Sequence, residues 1–141
     1  MPAEPLVVNL EPAVEDVQFL QERLYEHNVA QTGYDDGEWL SFFIRDVHQR
    51  IQAGLYGSTW GGCCYIRYLW VHEDWRGQGY GTRLLHAAEH EAQRRGCDAI
   101  ILDTHSFQAP GFYQKLGYEV FAVLEDYPRG HRNYYLRKRL T

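Results

Sequence analysis

Leu69-Trp-Val-His-Glu-Asp-Trp-Arg76-Gly-Gln-Gly79-Tyr-Gly81-Thr82 joins the end of an apolar run to a glycine-rich turn and then to a helix. Gly77, Gly79 and Gly81 stand at alternate positions, so the backbone can bend sharply and leave its N–H groups unshielded. The helix that follows aims the positive end of its dipole at the same turn. Together these features make a nest for an anion, and pyrophosphate is its usual occupant.

Downstream, Leu84, Leu85, Ala88 and Ala92 recur at helical spacing, Glu91 and Arg95 stand at i and i+4, and Gly96 supplies a stop. The pattern predicts a helix over residues 79–95. Residues 99–103, Ala-Ile-Ile-Leu-Asp, read as a short, continuously apolar strand of the kind buried on both faces, parallel to the strand before the turn. Upstream, residues 39–45, 51–60 and 63–71 alternate as an antiparallel meander, with turns over 46–50 and at Gly61-Gly62. Pro110 can start and Gly117 end a second short helix, and residues 118–124 and 133–140 form the last strands around the breakers Pro128 and Gly130. At the other end, residues 6–9 read as a first strand. Glu11-Pro12 opens a helix to about His27 with an apolar stripe of Val14, Val17, Phe19, Leu20 and Leu24, and residues 28–37 read as a loop.

The Arg-x-x-Gly-x-Gly order of Arg76, Gly79 and Gly81, after a strand ending in Leu69-Trp70-Val71, resembles the acetyl-CoA signature of the GNAT N-acetyltransferase superfamily. A second stretch, Phe107-Gln-Ala-Pro-Gly-Phe-Tyr113-Gln-Lys-Leu-Gly117-Tyr118, resembles that family's later helix, which ends at Gly-Phe or Gly-Tyr. The resemblance covers residues 39–141 closely and the first 38 loosely. It implies an α/β (α+β) fold: a mixed, mostly antiparallel sheet, splayed at a central parallel strand pair and flanked by helices, in one domain spanning 1–141. It also implies acetyl-CoA as cofactor. Arg76, Gly77, Gln78, Gly79, Tyr80, Gly81 and Thr82 would form the pyrophosphate turn, with the N–H groups of Gln78 to Thr82 on the phosphates and Arg76 shaping the bend and adding charge. The backbone of Leu69 and Val71 would pair with the pantetheine arm and supply an oxyanion donor. Ser106 stands where the family often has an Asn on the pantetheine amide, and Tyr113 where it has the Tyr that protonates the leaving thiolate.

Acetyl transfer to an amine requires the ammonium to lose a proton, the oxyanion to find a donor and the thiolate to find an acid. The base is the missing part. Many relatives carry a Glu on the strand matching residues 63–71, which has no carboxylate here; His72, Glu73, His105, Tyr65 and Tyr68 lie nearby, and no base is assigned. No cysteine has a neighbouring base in a recognisable pattern, so direct attack in a ternary complex is expected rather than a covalent carrier. The acceptor is expected to be a primary amine on a small molecule or a peptide. A homodimer is left open, and so is a GNAT-like domain that binds acyl-CoA without turnover.

At 141 residues, 45% hydrophobic and 15% aromatic, the chain has the material for one core. No window approaches the run of about 18 apolar residues needed to cross a membrane. The start, Met1-Pro-Ala-Glu-Pro, lacks the pattern of a signal peptide, so a cytoplasmic location is expected. Cys63 and Cys64 are adjacent and Cys97 stands alone, which favours reduced thiols. A net charge of −5 argues against nucleic acid as partner and favours a cationic acceptor. Two other patterns compete. His86-Ala-Ala-Glu89-His90 matches the H-x-x-E-H zinc peptidase motif, but at 100° per residue from Leu84 the two histidines fall near about 200° and 240°, away from the apolar face, so no metal ligand is assigned. Gly77 and Gly79 with Asp103 downstream suggest a dinucleotide site, although the third glycine is replaced by Thr82.

Overall fold

The computed structural model describes residues 4–140. The chain divides into two compact units that meet at residues 35 and 36. In the first, α1 (Val14–Thr32) carries Glu15 and Asp16 in its first turn and ends where Gly33 takes φ 78° and donates its N–H to Val29 O at 2.7 Å. The helix is longer than its sequence pattern indicated, so only residues 33–37 remain of the expected loop. The expected strand over residues 6–9 is absent. Leu6, Val7 and Val8 are 102%, 83% and 78% exposed and form no ladder among the described residues, and a strand without a ladder leaves its backbone to water. Within its own unit the α1 stripe of Val14, Phe19, Leu20 and Leu24 finds no second layer to bury it, because the unit holds a lone helix.

The second unit is a six-stranded sheet of β1 (Glu38–Arg45), β2 (Ile51–Trp60), β3 (Cys63–Val71), β4 (Ala99–His105), β5 (Glu119–Glu125) and β6 (Arg132–Arg139), with two helices, α2 (Tyr80–Arg94) and α3 (Pro110–Lys115). The strand order is β1-β2-β3-β4-β6-β5, and every neighbouring pair is antiparallel except β3 and β4. Leu84, Leu85, Ala88 and Ala92 of α2 pack on one face of the sheet with Leu40, Ala53, Leu55, Cys64, Ile66, Ile100, Leu102 and Leu136, as their spacing predicts. On β4 the alternation is clean: Ile100, Leu102 and Thr104 are buried in the core, while Ile101, Asp103 and His105 point to the opposite, open face. Trp39, Tyr56 and Tyr68 stack in a row across that open face.

Candidate active site

The site begins where the sheet opens. β3 and β4 pair from Cys63 and Ala99 up to Ile66 and Leu102 and then part. Beyond that point Tyr68 to Val71 pair only with β2, and Asp103 to His105 only with β6. A bulge causes the change of course, since Tyr56 faces Tyr68 while Gly57 faces Ile66, leaving Arg67 as the extra residue. Gly57 permits the close approach, because a Cβ there would overlap the Tyr65 carbonyl oxygen. The bulge also reverses the alternation, so Leu69 and Val71 rather than Tyr68 and Trp70 pack toward the core. His72 N–H donates to Gln52 O at 2.7 Å. By the alternation of antiparallel bonding, the N–H and C=O groups of Leu69 and Val71 then turn away from β2, into the gap.

The turn after β3 is tied down from below. A single 3₁₀ turn, Glu73–Trp75, is capped by His72, whose Nδ1 accepts from Asp74 N–H at 3.0 Å. Arg76 Nε donates to Val71 O at 2.9 Å, which fixes the bend against the strand end. Gly77 and Gly79 take φ 74° and 84°, conformations that cost any residue with a Cβ. Gly81 has a different reason to be glycine, since a Cβ there would press on the Phe112 ring at 3.2 Å. The first i to i−4 bond of α2 runs from Arg83 N–H to Gly79 O at 3.0 Å. The N–H groups of Gly77 to Thr82 find no acceptor among the described residues, and no side chain caps the helix. The predicted turn residues therefore converge on one exposed array of donors at the mouth of the gap.

Tyr113, on α3, is 8% exposed and packs edge-on against Phe112 and Tyr118. Burial, with the nearby charge of Asp103 added, pushes its hydroxyl up to about 12, so it stays protonated. Ser106 is half-buried and already engaged: its Oγ accepts from Arg132 N–H at 3.1 Å, which leaves its proton and one lone pair to offer. Gln108 holds the chain beside it, accepting from Thr104 Oγ1 at 3.1 Å and His105 N–H at 2.7 Å.

Two polar groups at the gap were missed by sequence reasoning as parts of this site. Asp103 is the first β4 residue beyond the pairing with β3, and it accepts from Tyr65 Oη at 3.1 Å and from Asn133 Nδ2 at 3.2 Å. Asn133 is fully buried and its Oδ1 has no partner. The only local signal was a carboxylate closing an apolar run on the open-face parity; Asn133 lies 30 residues further on and carries none. His105 faces the same side, with Nδ1 at 3.1 Å from Tyr127 O. A carbonyl only accepts, so Nδ1 is the donor in this contact.

A model of the Acetyltransferase (GNAT) family matches residues 9–118. The chain belongs to this family. As a GNAT acetyltransferase it is 33% identical over 120 residues to an acetyltransferase of Agrobacterium fabrum, covering 85% of this chain and 88% of that protein. It is 40% identical over 91 residues to blasticidin-S acetyltransferase of Streptomyces morookaense, covering 64% and 67%. A solved structure assigned as an acetyltransferase of Agrobacterium tumefaciens matches with a TM-score of 0.85 at 31% identity, over 96% of this chain and 99% of that one. Acetyl-CoA is the cofactor of the family.

The competing patterns in this acetyltransferase take other places in the fold. His86 and His90 are exposed, whereas Glu89 is buried and accepts from Tyr118 Oη at 2.8 Å and Lys138 Nζ at 3.0 Å, so the three do not share a face. A sheet with a single parallel pair lacks the doubly wound topology on which a dinucleotide crevice depends. A shallow pocket of about 200 Å³ lined by Trp60, Thr59, Arg95 and Cys97 lies at the other end of β3, away from the turn. No helix among the described residues is long and apolar enough to cross a membrane.

Proposed function

We propose that this chain transfers an acetyl group from acetyl-CoA to a primary amine of a small molecule or peptide, by direct attack in a ternary complex. The observation that carries the reading is the parting of β3 and β4 beyond Ile66 and Leu102, with the unpaired N–H groups of Gly77 to Thr82 beside it. A diphosphate suits that array, and an extended amide-bearing arm suits the strand edge of Leu69 and Val71. When bound, acetyl-CoA supplies an activated acetyl thioester. The protein's part is to hold and to move protons. Arg76 keeps the turn in shape through Val71 O, so its own role is positioning. The Leu69 and Val71 N–H groups offer hydrogen bonds in the gap, Ser106 a hydroxyl that can donate or accept beside it, and Tyr113, kept neutral by burial, is the proton donor. Burial pushes the Cys64 thiol up to about 12 and raises Cys63 and Cys97 as well, which argues against a cysteine carrier. The family match crosses both compact units, which supports reading residues 1–141 as one acetyltransferase domain. The similarity to blasticidin-S acetyltransferase supports a small-molecule amine as acceptor.

Thermal shift tests the cofactor. Acetyl-CoA at about a hundred times its dissociation constant should stabilise the protein by roughly 2.7 kcal/mol, while NAD and zinc should leave it unmoved. No shift with acetyl-CoA, or a shift with NAD or zinc instead, would remove the basis of the reading.

A further inference from the structure

The gap between β3 and β4 has two sides. Its core side is taken: the Phe112 ring of α3 lies against Gly81 at the head of α2, and Tyr113 packs beside it into the core. A second reactant therefore comes from the open face, and that face carries His105. Ile66 and Leu102 form the last parallel pair, and His105 stands three residues beyond it. Allowing for the extra residue Arg67 on β3, His105 is level with Leu69 and Trp70 across the gap.

Three contacts hold the imidazole. Its Nδ1 donates to Tyr127 O at 3.1 Å, Phe107 stacks on it at 5.4 Å with 2° between the planes, and the Tyr127 ring meets it edge to face at 5.0 Å. The ring nitrogens point in diverging directions, so Nε2 turns away from the β5–β6 turn, and it has no partner among the described residues. With Nδ1 anchored on a carbonyl, the neutral ring accepts at Nε2 and the charged ring donates there. The titratable and charged groups around it are Asp103 on the same face, the Tyr127 phenol, His131 behind Phe107, and the Arg132–Glu125 ion pair at the base of the turn. Asn133, opposite on β6, is neutral.

We propose that His105 is the general base of this acetyltransferase, seated by Tyr127 and Phe107. The inference rests on the acetyl-CoA reading above and assigns the base that residues 63–71, without a carboxylate, do not provide. Nε2 takes one proton from the acceptor ammonium, and the freed lone pair forms the N–C bond to the acetyl carbon as the C–S bond breaks. Tyr113 gives its proton to the leaving sulfur and regains one, the second proton of the nitrogen, through water. The imidazolium then releases its proton to water.

The test uses the full chain with saturating acetyl-CoA and compares n-butylamine, charged at neutral pH, with trifluoroethylamine, which is neutral there. His105→Gln should lower kcat for n-butylamine by about a hundredfold or more, and for trifluoroethylamine by no more than about threefold, because a neutral amine needs no base. The acetyl-CoA thermal shift should be kept. Phe107→Leu, which removes the stacked ring only, should show the same selective loss in smaller measure, and it carries the test if the Gln variant does not fold. By NMR, the imidazole resonance missing from His105→Gln should move when n-butylamine is added to the unmodified protein loaded with coenzyme A. Losses within about twofold of each other for the two amines overturn the proposal, since a histidine that only holds structure slows both alike. So does a protein stabilised by acetyl-CoA in which n-butylamine neither reacts nor moves that resonance. Absence of the acetyl-CoA shift itself is a different failure, which removes the transferase reading and this inference with it.

Discussion

Replacing Tyr113 by Phe removes one oxygen from a residue that is 8% exposed and whose hydroxyl has no hydrogen-bond partner among the described residues. That oxygen is not one of the buried polar atoms left without a partner, so it is open to water, and its removal should leave Tm within about 3 °C of the parent. Turnover should respond strongly. A positioned proton donor supplies about 10²- to 10⁴-fold, so kcat should fall by about a hundredfold or more while acetyl-CoA still stabilises the protein. Alkaline stability gives an independent reading. The folded value of Tyr113, about 12, lies above its ordinary 10.0, so the stability tied to the neutral phenol is complete below pH 10.0 and lost as pH rises toward 12. The Phe variant lacks that group, and its urea midpoint should fall less steeply across the same interval. A kcat within about threefold of the parent would take Tyr113 out of the mechanism, and a Tm lower by more than about 5 °C would contradict the packing argument.

Lys138→Met strands the Glu89 carboxylate, whose side chain is 12% exposed; with Lys138 itself 26% exposed, the loss should lie at the low end for a buried pair, about 3 kcal/mol or roughly 10 °C in Tm. Adding Glu89→Gln, which can still accept from Tyr118, should recover more than half of that loss in the same melt. Gly79→Ala meets no atom within 4 Å, so its cost is the left-handed backbone alone, about 1–2 kcal/mol. Calorimetric titration should show acetyl-CoA affinity reduced about tenfold, and unaltered binding would mean that this turn does not carry the phosphates. Hydrogen bonds from Arg94 and then Arg95 hold the Glu91 carboxyl down at about 2, below its ordinary 4.5. The stability this supplies is present above pH 4.5 and lost as pH falls toward 2. Glu91→Gln should therefore melt lower than the parent at neutral pH, and the difference should close near pH 2; a gap that persists there is packing.

What could be read without coordinates was what depends on neighbours in sequence. The stripe of Leu84, Leu85, Ala88 and Ala92 located α2, and the alternation over residues 39–71 located β1 to β3, because periods of 3.6 and 2 are local properties. The turn from Arg76 to Thr82 was legible for the same reason. Residues 6–9 have strand-forming side chains, but a strand exists only by virtue of a partner, and none pairs with them among the described residues. The α1 boundary slipped by five residues because Asn28 to Thr32 contains no breaker before Gly33. The Tyr65–Asp103–Asn133 arrangement joins positions 38 and 30 residues apart, and pairing registers at that range leave no periodic trace.

The clean alternation along β4 has a consequence for descent. Ile100, Leu102 and Thr104 answer to the core, while Ile101, Asp103 and His105 answer to whatever enters from the open face. Change can therefore accumulate at an odd position such as Ile101 without taxing the even ones, whereas Asp103 is held to the scaffold by the buried Asn133 amide. On this strand, inheritance of shape and invention of specificity are written in alternate letters.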